Sequence, residues 1–360
     1  MEWWLLGVVA ISSFVALLAL LGALVSSLLL FCTRSFPCFG KSSNFDLYAG
    51  LEHTIAVDVG GGIRGYWTPN QAGGAVVIYT HGHSKSILKQ GEGGINVVDR
   101  IGAPVFRAGF SILGVDLRNH GDSPYRPPVT CGVRESEDIL AAYDWLQREH
   151  GYSAESIGLA GISMGAATVL FAAASNNHRV QAVVVDSPLA SFDATFEMWL
   201  SHKIGNRLAS VSWWYLRWWF SLLIRCTSPM TLDDTDVAVA VRSSTAAILH
   251  SHGKADPIVP FGNALLLAEA ARSRVGPSEY EFFEYELGHT QAWKISGYNN
   301  RMIEFFRRHL APCDIESNAP SPPSPGLRST TPISITFGDE PGKIDEKSPA
   351  SRSDIYNTFG

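Results

Sequence analysis

Apolar positions along the chain fall into three regimes. Residues 3–33 carry no charged side chain, residues 45–312 alternate short apolar runs with helix-like segments, and Ser, Pro, Thr and scattered charge take over after 313. The middle regime predicts the fold. His53–Val59 and Ile63–Trp67 flank Gly60-Gly61-Gly62 and read as a hairpin. Runs at 75–80, 111–116, 156–160, 182–186, 245–250 and 280–286 are of strand length. Most are continuously apolar, as strands buried on both faces require. Helices are expected at 134–149, 166–174, 262–273 and 298–310. Strands alternating with helices predict an eight-stranded, mainly parallel α/β sheet with helices on both faces. The opening hairpin adds an antiparallel edge.

A long connection over about 188–244 interrupts this alternation and is expected to be a helical cap. It holds Trp199, Trp213, Trp214, Trp218 and Trp219. Its tryptophan stretch admits three readings: a lid over an acyl pocket, a contact with a membrane surface, or packed cap core.

The two ends differ in character. The run Leu5–Phe31 is long enough to cross a bilayer, with Trp3 and Trp4 as interfacial aromatics. A cleaved signal peptide would want a basic start and a shorter run, so a retained transmembrane anchor over 1–34 is expected. Arg34 and Lys41 follow the run and place the main domain on the cytoplasmic side. Cys32 and Cys38 lie beside that end, as ordinary thiols or as S-acylation sites. The segment 313–360 is too poor in apolar residues to fold and is expected to be disordered.

Composition changes this picture little. A net charge of −6 gives no reason to expect nucleic acid as a partner. Five cysteines are few and odd in number, and their spacing suggests neither a metal site nor a disulfide framework.

The chemistry centres on Gly161-Ile162-Ser163-Met164-Gly165, between a predicted strand and a predicted helix. A nucleophile elbow needs this context: an exposed serine on a sharp turn, with glycines where side chains would collide. A serine hydroxyl also needs a base, and the base an acid. His289 and Asp256 both follow predicted strands and stand in the chain order Ser, Asp, His. Asp186, also after a strand, is the second choice of acid. Met164 and His83 are the expected backbone donors to an oxyanion. The imidazoles of His81 and His83 lack a third ligand for a metal site, so His81 is expected to support its loop. In Asp116-x-Arg118-x-x-Gly121-x-Ser123 an Asp–Arg pair is expected to brace the site.

On Gly161–Gly165, His81-Gly82, Asp116-x-Arg118, Asp256-x-x-Val259-Pro260 and His289, the chain from about 50 to 310 resembles the α/β-hydrolase superfamily. Within it, the chain is most similar to single-pass, membrane-anchored serine hydrolases of the Bem46-like kind. The resemblance implies ester, thioester or amide hydrolysis without a cofactor. The expected substrate is a small-molecule or lipid-like acyl compound, cleaved by a membrane-tethered serine hydrolase. A prolyl-oligopeptidase-like peptidase and a non-enzymatic binding relative are the alternatives.

Overall fold

All eight expected strands form, each within a few residues of its predicted span. They are β1 Ile55–Asp58, β2 Arg64–Thr68, β3 Val76–Thr80, β4 Ser111–Val115, β5 Ile157–Ile162, β6 Ala182–Asp186, β7 Ala247–Gly253 and β8 Tyr280–Tyr285. This computed structural model describes residues 12, 13, 17, 19–27, 51, 53–71, 74–88, 96–274 and 279–312. The strands make one sheet in the order β1-β2-β4-β3-β5-β6-β7-β8. The first two pairings are antiparallel and the rest parallel. Every residue of β3 to β7 is buried, which is why these strands lack polar alternation. The edge strand β1 is mostly exposed.

Helices cover both faces. On one lie α2 (Ser136–His150) and α3 (Met164–Ala173), with Ile139, Leu146, Ala167 and Val169 in the core beneath them. On the other lie a π-helical turn Val98–Gly102, the short α1 (Ala103–Arg107) and α8 (Tyr298–His309), burying Val98, Val105, Phe305 and Phe306. The helix α7 is Gly262–Arg272. The segment 98–107 was not expected from sequence: it is too short for periodicity to register, and Pro104 reads as a break.

The sheet order places the active face. From β3 the chain goes to β4 on one side, then crosses back to β5 on the other. Carboxyl ends of neighbouring strands diverge at such a switch, opening a crevice. Thr80 pairs with Gly161 across it, so the loops after β3 and β5 meet there.

The cap consists of α4 (Phe192–Ile204), α5 (Asn206–Thr227), a 3-10 turn Leu232–Thr235 and α6 (Val237–Ser243). Ser191 caps α4 by accepting the Ala194 amide. Phe192, Phe196, Trp213 and Phe220 form an aromatic cluster with ring centroids 4.8–6.0 Å apart. Packed core therefore holds for Trp213, while Trp214 and Trp218 face outward, 75% and 56% exposed.

Of the apolar segment 1–34, the described residues are helical. Gly22 is buried there, and a Cβ on it would lie 2.5 Å from Trp219 and 2.6 Å from the Tyr215 hydroxyl, so the helix packs closely on α5. Among the described residues no helix is long and apolar enough to cross a membrane. The remainder of the expected anchor, with Cys32 and Cys38, lies outside the described residues, as does the tail 313–360.

Candidate active site

The strand β5 ends at Ile162 and α3 begins at Met164, two residues earlier than the sequence suggests. Ser163 alone makes the turn, with φ 54° and ψ −123°. That backbone is strained for a residue with a side chain, and the surroundings enforce it. The Ser163 amide donates to the Asp186 carbonyl at 2.9 Å, and its carbonyl accepts the Ala166 and Ala167 amides at 3.0 and 3.2 Å. The flanking glycines are required by space. A Cβ on Gly161 would meet the Gly165 carbonyl oxygen, and one on Gly165 the His81 carbonyl oxygen, both within 2.4 Å.

His289 lies in the loop after β8 and Asp256 in the loop after β7. The structure brings both to Ser163. The Ser163 hydroxyl is 2.9 Å from His289 Nε2, and His289 Nδ1 is 2.7 Å from Asp256 Oδ2. Asp256 is buried, and its other oxygen accepts the Ile258 and Val259 amides at 2.9 and 2.8 Å. Burial pushes its carboxyl up. The His289 hydrogen bond, the imidazole charge and the two amides outweigh burial and hold it below the usual carboxylate range. An ionised Asp256 can only accept, so it keeps the proton on Nδ1 and leaves Nε2 free to take the serine proton.

Asp186, the second choice of acid, holds the histidine loop instead. Tyr285 donates its hydroxyl to Asp186 at 2.8 Å and accepts the Gln291 amide at 3.0 Å. The Ala292 amide reaches Asp186 Oδ2 at 3.3 Å, and the Thr290 amide reaches Ser187 Oγ at 3.1 Å. Arg100 donates to the Thr290 hydroxyl at 2.6 Å and to its carbonyl at 3.1 Å. Sequence reasoning missed Arg100, Tyr285 and Thr290. Arg100 and Thr290 lie 190 positions apart, and only the π-helical turn brings them together.

On the opposite side, a Cβ on Gly82 would lie 3.2 Å from Ser163 Cβ, so the loop after β3 presses on Ser163. His83 lines the cavity over Ser163, and Met164 takes the first position of α3, where an amide has no acceptor in its own helix. His81 is buried; its Nδ1 donates to the Gly82 carbonyl at 2.8 Å and its Nε2 accepts the Leu117 amide at 3.2 Å. Burial, partly opposed by the Gly82 bond, lowers its pKa to about 4, so it is a neutral strut for the loop. Among the described residues, no three His, Cys, Asp or Glu are placed to hold a metal ion.

The expected Asp116–Arg118 pair does not form. Arg118 turns to α2, contacting Asp138 at 2.7 Å and Glu137 at 2.8 Å. Asp116 accepts the Ile87 and Asp122 amides at 2.7 and 3.0 Å. Both residues lie past the end of β4 at Val115, so the following loop sets their directions, and α2 presents two carboxylates to Arg118.

The cavity over Ser163 measures 370 Å³. Val97, Ile162 and Ile258 supply apolar wall, and Lys85 and Arg100 supply charge. Among the described residues, none of α5 lines it.

Sheet order, elbow and loops define an α/β-hydrolase fold. Residues 76–221 match the family described as alpha/beta hydrolase fold. The chain is 31% identical over 136 residues to the thiohydrolase aneE of Aspergillus aculeatus, covering 37% of this chain and 39% of that protein. It is 32% identical over 86 residues to an uncharacterized 31.7 kDa protein of Escherichia coli, covering 24% of this chain and 30% of that one. The chain thus spans about a third of the curated relatives it matches. Among solved structures, the Pyrococcus furiosus esterase Pf2001 aligns with a TM-score of 0.53 at 20% identity, over 72% of this chain and 92% of that one. At that identity the likeness shows the fold.

Proposed function

We propose that this chain is a membrane-anchored serine hydrolase that cleaves acyl esters or thioesters. The observation that carries the reading is the hydrogen-bonded series Ser163–His289–Asp256 on a strained elbow at the mouth of a cavity. Ser163 Oγ attacks the acyl carbon as His289 Nε2 takes its proton. The tetrahedral oxyanion is received by the Met164 and His83 amides. Its collapse expels the alcohol or thiol, which leaves with the proton from His289, and an acyl-Ser163 remains. Water then attacks the acyl carbon, its proton taken by His289, and the acid departs as His289 returns that proton to Ser163 Oγ. Asp256 orients the imidazole and stabilises its cation throughout.

The charge-free run 3–33 supports an anchor, and the anchor supports a lipid-like acyl substrate. Arg34 and Lys41 support a cytoplasmic catalytic domain, in keeping with the resemblance to Bem46-like hydrolases. The likeness to an esterase fold and to a thiohydrolase sequence supports ester or thioester substrates.

The test is labelling of membranes carrying the chain with a fluorophosphonate probe, for wild type and Ser163→Ala. Labelling of wild type alone, with hydrolysis of p-nitrophenyl esters, is the expected result; a folded wild type that takes no label would overturn it. Carbonate extraction tests the anchor separately: the chain stays in the pellet, and its release to the supernatant would rule the anchor out.

A further inference from the structure

We propose that the outward face of α5 is seated in the acyl layer of the membrane, beside the N-terminal apolar helix, so that the cap belongs to the membrane-docking surface. This rests on the reading of 1–34 as a membrane anchor.

The helix α5 is apolar on two opposite faces. Ala209, Trp213, Phe220 and Ile224 are buried on the side of the cap. Leu208, Val211, Trp214, Trp218 and Leu222 recur every three or four residues on the other side, where they are 64%, 70%, 75%, 56% and 40% exposed. A surface helix normally keeps one polar face; one that is apolar on both is adapted to an apolar medium on both. The span 206–227 contains no Asp or Glu. Its three arginines divide by role. Arg217 turns to the protein and pairs with Asp193 and Asp233. Arg207 and Arg225, near the two ends, are exposed. Trp and Leu along a face with cations at its ends suit a helix lying in a lipid surface, because long basic side chains reach back to the headgroups.

The neighbouring helix identifies lipid as the occupant. The N-terminal helix packs on the flank of α5, with Gly22 against Tyr215 and Trp219. Ser26, one turn on from Gly22, is also buried, and small residues at this spacing let helices approach closely in lipid. Leu17, Leu20, Leu21 and Leu24 of the same helix are 63%, 69%, 54% and 56% exposed. They sit inside a run that carries no charge from 3 to 33 and must itself find an apolar solvent. Gly22 lies well inside that charge-free run, so a helix in contact with it is held at acyl-chain depth rather than above the headgroups.

The test uses the full chain with its five cysteines replaced by serine and Val211→Cys carrying an NBD fluorophore. It is reconstituted into vesicles of phosphatidylcholine and phosphatidylglycerol. Leu265→Cys on α7, 55% exposed and outside the cap segment, is the reference. Lipids with a doxyl group on the acyl chain are expected to quench position 211 about threefold more than position 265, and aqueous iodide to do the reverse. Fluorophosphonate labelling of Ser163 in the same sample reports folding, and Leu222→Cys replaces Val211→Cys should the latter not fold. If the chain floats with the vesicles and resists carbonate, yet 211 is as open to iodide as 265, the anchor stands and this inference is overturned. Shielding from iodide without doxyl quenching would mean a protein partner or a second copy on the face, and also overturns it. A chain that does not float overturns both.

Discussion

At the scale of single residues, the site depends on which atoms can stand next to Ser163. Asp256→Asn keeps the shape but lets the side chain donate, which favours the wrong imidazole tautomer. Its kcat is expected to fall about 10⁴-fold with the melting temperature nearly unchanged, measured with p-nitrophenyl esters. Gly165→Ala places a methyl group against the His81 carbonyl, and loss of probe labelling together with a lowered melting temperature is expected. The buried acids make a pH prediction. Burial is the leading cause that raises Asp186 from 3.8 to about 6, against the hydrogen bonds it accepts. A carboxyl with a raised folded pKa contributes its full stability below its unfolded pKa and loses it as pH rises through the folded one. Between about pH 4 and 6 Asp186 therefore gives up on the order of 3 kcal/mol. His81, lowered to about 4, contributes the opposite slope over the same window, so the readout is a difference. Wild type is expected to lose more melting temperature than Asp186→Asn from pH 4 to pH 6; parallel curves would contradict it. Ser163, His289 and Asp256 were legible in the sequence because each follows a strand end. Arg100 was not, because its partner Thr290 is brought close only by tertiary packing.

At the scale of elements, the helices act as braces for loops that carry chemistry. Arg118, in the loop after β4, is buried and held by Asp138 of α2. Asp138→Ala leaves that guanidinium with the exposed Glu137 alone and is expected to cost about 3–5 kcal/mol in chemical denaturation. The sequence showed the Asp116-x-Arg118 pattern but not its partners, since side-chain direction after a strand depends on the loop that follows. The cap gives a contrasting case. Trp213→Ala removes an indole from the aromatic core of α4 and α5 and the bond from its Nε1 to Asp193. The cap is expected to become more sensitive to proteolysis, while hydrolysis of short esters stays within about twofold, because no α5 residue lines the cavity. A loss of ester hydrolysis parallel to cap cleavage would argue for a lid after all.

At the scale of the whole molecule, the local patterns carried much of the result, and for definable reasons. Strand burial appears as unbroken apolar runs, the elbow as glycines two residues either side of a serine, and the cap as an over-long connection. Each is a local constraint, written in consecutive residues. The number of strands and the chain order of Ser163, Asp256 and His289 followed from these alone. Sheet order did not, because pairing β3 with both β4 and β5 is a choice among long-range contacts that a linear pattern leaves open. The same holds for Asp186, whose role as loop clamp rather than triad acid was decided by where Tyr285 and Ala292 fell. It holds for α5 too, where composition could not distinguish lid, core or membrane face; the fold put Trp213 inside and Trp214 outside. The sequence by itself determined which residues are candidates for the chemistry, because residue type and position at a strand end are local properties. Only the tertiary structure decided which of them meet, because meeting depends on distances set by the packing of segments far apart in the chain.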